Sequence, residues 1–377
     1  MKIAPFAVEQ WMNAYETGCR YNLAETCVAS LTIGELLGLA DEGRPAQRES
    51  LLEELLPLKM TYGEIQGSRR LRVAIARLFE TRGPDDVLVT HGAAGANALV
   101  YQALVSAGDE VVSVVPTYQQ HYSIPESLGA DVRHLQLRPE KGYLVDPDEL
   151  RALVTPATKL IAFTNPNNPT GSLMNETLLR EIVAIAAEAD AYILSDEVYR
   201  GTSQESDALG PSVTDLYPRG ISVGSMSKAF SLAGIRLGWI CGPREAIHAA
   251  EIHRDYNTIS VGIVDDLLAS IALEHKDRIL ARSRRIVREN LATLDRWIQS
   301  EPSVTYVRPQ AGTTALLKYG VDMPSRELCL RLLEETGVLF VPGEAFDVEG
   351  CVRIGYANNH DVLEGGLQEV SRFLEAL

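Results

Sequence analysis

The sequence predicts an α/β protein: a three-layer sandwich in which helices cover both faces of a mostly parallel central sheet, joined to a smaller α+β unit. Three observations carry this. From about Gly63 onward, strand-length runs rich in Val, Ile and Leu alternate with segments of helical periodicity. Val-, Ile- and Leu-rich runs punctuated by helices argue for a mostly parallel sheet covered on both faces. After Val264 the character changes to long amphipathic helices and short strand candidates.

In chain order, Val87–Thr90 reads as the first strand, followed by a Gly/Ala turn and a helical stretch over Asn97–Ser106. Glu110–Val115, Val132–Leu137, Leu160–Thr164, Tyr192–Ser195, Ile221–Val223 and Leu237–Cys241 continue the series, with helices such as Glu176–Glu188 between them. Asp265–Ser300 reads as one long helical region rich in Arg, Glu and Leu. Strand candidates follow at Val304–Val307, Thr314–Lys318, Leu339–Val341 and Val352–Tyr356, with amphipathic helices at Ser325–Thr336 and Val362–Ala376. The first forty-odd residues are too short to fold alone, so they join this later unit or lie across a partner. The predicted division is a large domain over 46–270 and a small one built from 1–45 and 271–377.

Composition narrows the function classes. Of 377 residues, 46% are hydrophobic, enough for a sizeable core. No uncharged apolar run is long enough to span a bilayer, and Glu9 interrupts the N-terminus before a signal-peptide apolar region could form. The net charge of −16 is spread along the chain and repels phosphate backbones, which argues against nucleic-acid binding. The five cysteines form no close pair, which fits a reducing compartment such as the cytoplasm and no disulfide framework. The seven histidines are scattered, so no metal site is expected.

In open α/β sheets, ligands bind beyond the carboxyl ends of the strands, and several polar residues fall there. The segment Ser225-Met226-Ser227-Lys228-Ala229-Phe230-Ser231-Leu232-Ala233-Gly234-Ile235-Arg236 follows one strand. A lysine just past a buried strand is partly desolvated, which lowers its pKa and makes the amine nucleophilic. Ser225 and Arg236 could grip a phosphate. Taken alone, the lysine reads equally as a surface residue in a Ser-rich turn. Asp196 ends an apolar strand, where a carboxylate needs a partner; by itself it also reads as a helix N-cap. Asn168, within Asn165-Pro166-Asn167-Asn168-Pro169-Thr170-Gly171, sits in a rigid turn after another strand.

Together, Asn168 in its NPNNPTG turn, Asp196 and Tyr199 in SDEVY, and Lys228 and Arg236 in SMSKAFSLAGIRLGW resemble the aspartate aminotransferase family of pyridoxal-phosphate (PLP) enzymes, fold type I, classes I and II. The motifs match in order and spacing, from roughly Tyr62 to Tyr356. The resemblance implies that PLP is the cofactor and that Lys228 forms its Schiff base and shuttles a proton at the substrate Cα. It implies that Asp196 pairs with the pyridine nitrogen and makes the ring an electron sink, while Asn168 and Tyr199 hydrogen-bond the phenolic oxygen. Phosphate binding falls to Ser225, Arg236 and the backbone amides of the turn Gly92-Ala93-Ala94-Gly95. Relatives often carry Ser or Thr in that turn; Ala93 and Ala94 leave only backbone donors. Tyr118 matches the aromatic that stacks on the pyridine face, and otherwise reads as a core tyrosine. Tyr62 matches a tyrosine that reaches the neighbouring subunit's phosphate, which implies a homodimer with shared sites. Arg353 matches the arginine that binds the substrate α-carboxylate.

The implied activity is transfer of an amino group from an L-amino acid to a 2-oxo acid, both small molecules. The family pattern departs at Ala24-Glu25-Thr26, where a Gly-Glu-Pro-like turn is common. There Glu25, with Glu16, is a candidate to face a cationic substrate side chain; the alternative is a pair of solvated acids. Arg254-Asp255-Tyr256-Asn257-Thr258-Ile259-Ser260 and the stretch from Val341-Pro342-Gly343 to Gly355 are similar to a subgroup that includes capreomycidine synthase and PLP-dependent arginine oxidases. That likeness keeps open an oxidase, cyclase or lyase acting on arginine or a related basic amino acid. Gln120 and His121 either steer that choice or line the cleft. A non-catalytic PLP-binding regulator is the reading from another class, and it expects a DNA-binding module ahead of this fold.

Overall fold

The computed structural model describes residues 2–41 and 45–377. Its centre is a seven-stranded sheet of β1 (Val87–Thr90), β2 (Glu110–Val115), β3 (Asp131–Gln136), β4 (Thr158–Thr164), β5 (Tyr192–Asp196), β6 (Gly220–Ser225) and β7 (Gly238–Cys241). The order across the sheet is β1-β7-β6-β5-β4-β2-β3. Strands β2 to β6 pair in parallel; β7 is antiparallel to both β6 and β1.

Alternate residues of the strands feed two separate cores. Ile161, Phe163 and Ile193 pack on Leu179, Ile182 and Ile185 of the helix Glu176–Glu188. Leu160, Ala162 and Leu194 face the other way, against Leu99, Val100 and Ile247. Burial on both faces explains why β5 reads as an apolar run that stops only at its last two residues.

The second unit holds an antiparallel sheet of β8 (Val304–Tyr306), β9 (Thr314–Tyr319), β10 (Val341–Pro342) and β11 (Cys351–Gly355), in the order β10-β11-β9-β8. The N-terminal segment shares its core: Val8, Trp11, Leu23 and Val28 lie with Leu328, Phe340, Ile354 and Leu367. Tyr21–Asn22 also pairs in parallel with Val338–Leu339. Gly355 permits a close approach here, because a Cβ on it would stand 1.8 Å from the Glu25 carbonyl oxygen.

Three expectations need correction. The region Asp265–Ser300 is two helices, Ile263–Glu274 and Lys276–Ser300, divided at His275. Neither Gly nor Pro marks that break, so the helical periodicity runs across it. The single strand expected over Leu339–Val341 is two, because Phe340 leaves the line and its carbonyl accepts from Trp11 Nε1 at 2.8 Å. The helix expected from Asn97 begins at Gly92, so the Gly/Ala turn is its first turn. Among the described residues no helix is long and apolar enough to cross a membrane.

Arg254 ties three segments together from inside the protein. Its side chain is 1% exposed, and its guanidinium donates to the carbonyls of Val89, at 2.6 Å, and Ile65. Arg254→Leu removes both donors and leaves two inward-facing acceptors. The expected loss is about 3 kcal/mol, read as a lower denaturant midpoint with an unchanged slope.

Candidate active site

The carboxyl ends of β4, β5 and β6 open into a cavity of about 340 Å³, which the N-terminal segment closes from the far side. Asp196 ends β5 on its wall and is 5% exposed. Its Oδ2 accepts from Asn97 Nδ2 at 2.9 Å and its Oδ1 from the Val198 amide at 3.2 Å. No helix starts there, so the helix-cap reading falls away. Burial raises the carboxyl's pKa, against the opposing pull of those hydrogen bonds and of Lys228.

Lys228 follows β6 and lines the cavity. Its Nζ donates to Thr26 Oγ1 at 2.6 Å and lies 3.7 Å from Cys27 Sγ. The sequence led us to expect a lowered pKa, and burial does pull that way as the largest single effect. Ionisation of Cys27 and Tyr199 would favour the ammonium, however, and the balance lies above the ordinary lysine value. Without a bound partner, this amine is held protonated.

One corner of the cavity is built for an anion. The helix Gly92–Leu104 starts there with no side-chain cap, so its first amides are free of intrahelical partners. Ala93, Ala94, Ser225, Ser227 and Arg236 line the corner together. Gly92 has φ +67, and a Cβ on it would meet Arg236 Nη2 at 3.1 Å. Gly238 sits beneath, where a Cβ would stand 2.4 Å from the Gly92 carbonyl carbon. Both positions therefore demand glycine, and the guanidinium can lie against the helix start.

Arg353, from β11, faces the same cavity and is 2% exposed. It donates to Asn168 Oδ1 at 3.3 Å and to the Ala24 carbonyl at 2.8 Å, while its Nε has no partner. Burial lowers its pKa to about 10, so it stays charged at neutral pH. Tyr118 and Tyr199 line the cavity, and the Tyr118 hydroxyl donates to Glu9 Oε1 at 2.6 Å. Glu25 and Glu16 both line it as well; burial is the largest influence on Glu25 and raises its pKa.

One further expectation differs from the structure. Gln120 and His121 do not line the cavity: Gln120 braces the helix start by donating to the Ala94 carbonyl at 3.1 Å, and His121 is fully buried behind Asp196. Tyr62 is 78% exposed and stands outside the cavity of its own chain. Sequence reasoning missed Val8, Glu9 and Asn97 as lining residues. Only Asn97 carried a signal, a polar residue on the buried face of an otherwise apolar helix.

Comparison with known proteins gives the family. The family model for aminotransferase class I and II matches residues 28–368. A PLP-dependent aminotransferase from Streptococcus suis 89-1591 has a crystal structure that is 45% identical, with a TM-score of 0.95, covering 100% of this chain and 99% of that one. Capreomycidine synthase from Streptomyces vinaceus is 31% identical over 97% of this chain and 93% of its own length. The crystal structure of a PLP-dependent cyclase, OrfR, is 28% identical with a TM-score of 0.90, covering 100% and 98%. With the lysine, the acid and the anion corner placed around one cavity, these matches make the chain a member of the class I and II aminotransferase family, an enzyme of amino-group transfer in a family that works with pyridoxal phosphate.

Proposed function

We propose that the protein moves the amino group of an L-amino acid with a cationic side chain to a 2-oxo acid, with PLP held between Lys228 and Asp196. The observation that carries this reading is the convergence of Lys228, Asp196 and Arg353 on one cavity. The residues fit that cofactor on their own chemistry. Asp196 is a buried carboxylate with neutral hydrogen-bond donors, suited to a protonated ring nitrogen. The uncapped helix start with Ser225, Ser227 and Arg236 suits a phosphate.

Bound there, PLP supplies an electron sink for charge left at the substrate Cα. The chain does the rest. Arg353, beside Asn168, would grip the α-carboxylate and orient the substrate at Cα. Lys228 would move the proton at Cα, Tyr118 would lie against the bound ring, and Asn168 and Tyr199 would hydrogen-bond the phenolic oxygen. The carboxylates of Glu25 and Glu16 face the side chain. Glu25→Gln is expected to weaken binding of basic amino acids by about 10- to 100-fold. Isothermal titration showing unchanged affinity would remove that part of the reading.

The likeness to capreomycidine synthase and the cyclase, with acids in the cavity, favours a second reading: oxidation, cyclisation or elimination on arginine or a related basic amino acid. A spectroscopic screen of the holoenzyme against the standard L-amino acids, with dissolved oxygen recorded, separates the two. Accumulation of pyridoxamine phosphate without acceptor supports transfer; oxygen uptake or ammonia release supports the alternative.

We further propose a homodimer in which Tyr62 reaches the neighbouring site. Tyr62, Met60, Ile65 and Tyr256 are exposed hydrophobic residues on segments that Arg254 joins, which supports a covered face. The core around Val8, Trp11, Leu328 and Phe340, distinct from those on the two faces of the central sheet, supports a large domain over 46–270 and a small one from 1–45 and 271–377. Five free cysteines support a cytoplasmic location.

A further inference from the structure

The turn that departs from the family pattern stands against Lys228. Where a Gly-Glu-Pro-like turn is common, this chain has Ala24-Glu25-Thr26, so a hydroxyl takes the place of a ring with no polar atom. Thr26 Oγ1 accepts from Lys228 Nζ at 2.6 Å. The hydroxyl is not free to drift. Its own backbone carbonyl accepts from Oγ1 of the fully buried Thr313 at 2.7 Å. Just ahead, Asn22 Oδ1 accepts from the amides of Ala24 and Glu25, both at 3.1 Å. The Ala24 carbonyl accepts from Arg353 Nη2 at 2.8 Å, and the missing Cβ of Gly355 lets β11 close on Glu25. Three successive residues are therefore fixed, and the Thr26 side chain is delivered to one place.

A hydroxyl suits an amine that changes its charge. It accepts from an ammonium and, after rotating, donates to the lone pair of the neutral amine. A backbone carbonyl serves only the first of these states, and a proline ring serves neither. The two bonds are unequal, because a hydrogen bond to a charged group is about twice as strong as a neutral one. On balance the hydroxyl favours the ammonium. A lysine not bonded to cofactor is a long, flexible side chain in a cavity of about 340 Å³, and its alignment is lost unless something holds the amine. We infer that Thr26 is a positioning residue for Lys228: its hydroxyl seats the free amine, in both protonation states, at the point from which the amine re-enters the reaction.

This role rests on the proposed cofactor for its use, while the contact itself is tested without it. Competitive acetylation of cofactor-free protein over a pH series, read by mass spectrometry, gives the titration of Lys228 apart from the other lysines. Thr26→Val keeps the side-chain shape and removes the hydroxyl, so the midpoint is expected to fall by about one unit; Thr26→Ser should keep the wild-type midpoint. Asp196, Glu25, Cys27, Tyr199 and Arg353 also act on this amine, and none of them changes in either variant. With PLP added, the rate at which Lys228 closes its covalent bond, followed by absorbance, is expected to fall about 10-fold in Thr26→Val and to recover in Thr26→Ser. In a Lys228→Ala background the hydroxyl has no amine to hold, so adding Thr26→Val should leave noncovalent PLP affinity unchanged. A merely structural role would weaken that affinity. An unshifted Lys228 titration in Thr26→Val, failure of Thr26→Ser to restore closure, or weaker PLP binding in the double variant would overturn the inference. If PLP does not bind wild type, the cofactor reading fails, and the acetylation series still decides whether Thr26 holds the amine.

Discussion

Lys228→Ala is expected to lower turnover by about 10⁴-fold or more, because both covalent attachment and proton transfer at Cα are lost with the amine. No other amine can substitute from within the site: the remaining cations on the wall are the guanidiniums Arg236 and Arg353. The cavity should survive the change. Thr26 Oγ1 loses its 2.6 Å partner, but the Thr26 carbonyl remains held by Thr313 Oγ1 at 2.7 Å. Cofactor should therefore still bind, now noncovalently and insensitive to borohydride. Steady-state rates and the absorbance spectrum check both halves, and turnover within tenfold of wild type would refute the assignment of Lys228.

Asp196→Asn is expected to cut turnover by about 10²- to 10⁴-fold while the cofactor-free fold gains stability near neutral pH. The sign follows from burial. Asp196 has a raised pKa in the folded chain, so its proton is favoured there. Its contribution is fully present below the unfolded value, about 4, and is lost as pH rises through the folded value. The amide has no charge to desolvate, and after rotating it can exchange hydrogen bonds with Asn97, whose Oδ1 has no partner. Melting curves of the two cofactor-free proteins should converge in acid and separate toward neutral pH. A variant less stable than wild type at neutral pH, or one with full activity, would contradict the role given to this acid.

Much of the fold could be read from the chain, because buried parallel strands leave a strong local record. The apolar run Tyr192–Leu194 and the Asn175-capped helix Glu176–Glu188 are recognisable without distant partners. The site residues at strand ends share that advantage: a lysine, an acid and a rigid asparagine turn stand out after apolar runs. What could not be read depends on long-range packing. Nothing local in Ala7–Tyr15 marks Glu9 for the Tyr118 hydroxyl, since that contact exists only once the helix is laid across the cleft. The turn at Phe340 is likewise set by Trp11, and the lysine's raised pKa by Cys27, each far away in sequence.

The way the first and last parts of the chain interlock also constrains how the protein comes into being. Trp11 and Ala24 each find a partner 329 positions later, at Phe340 and Arg353. During synthesis the central sheet can form while the opening segment still has nothing to pack against. Val8, Trp11 and Leu23 stay uncovered over that interval, and such surfaces invite association with other nascent chains. The catalytic pocket is thus the last thing completed, and its yield in cells depends on keeping a short apolar stretch out of trouble until its distant counterpart emerges.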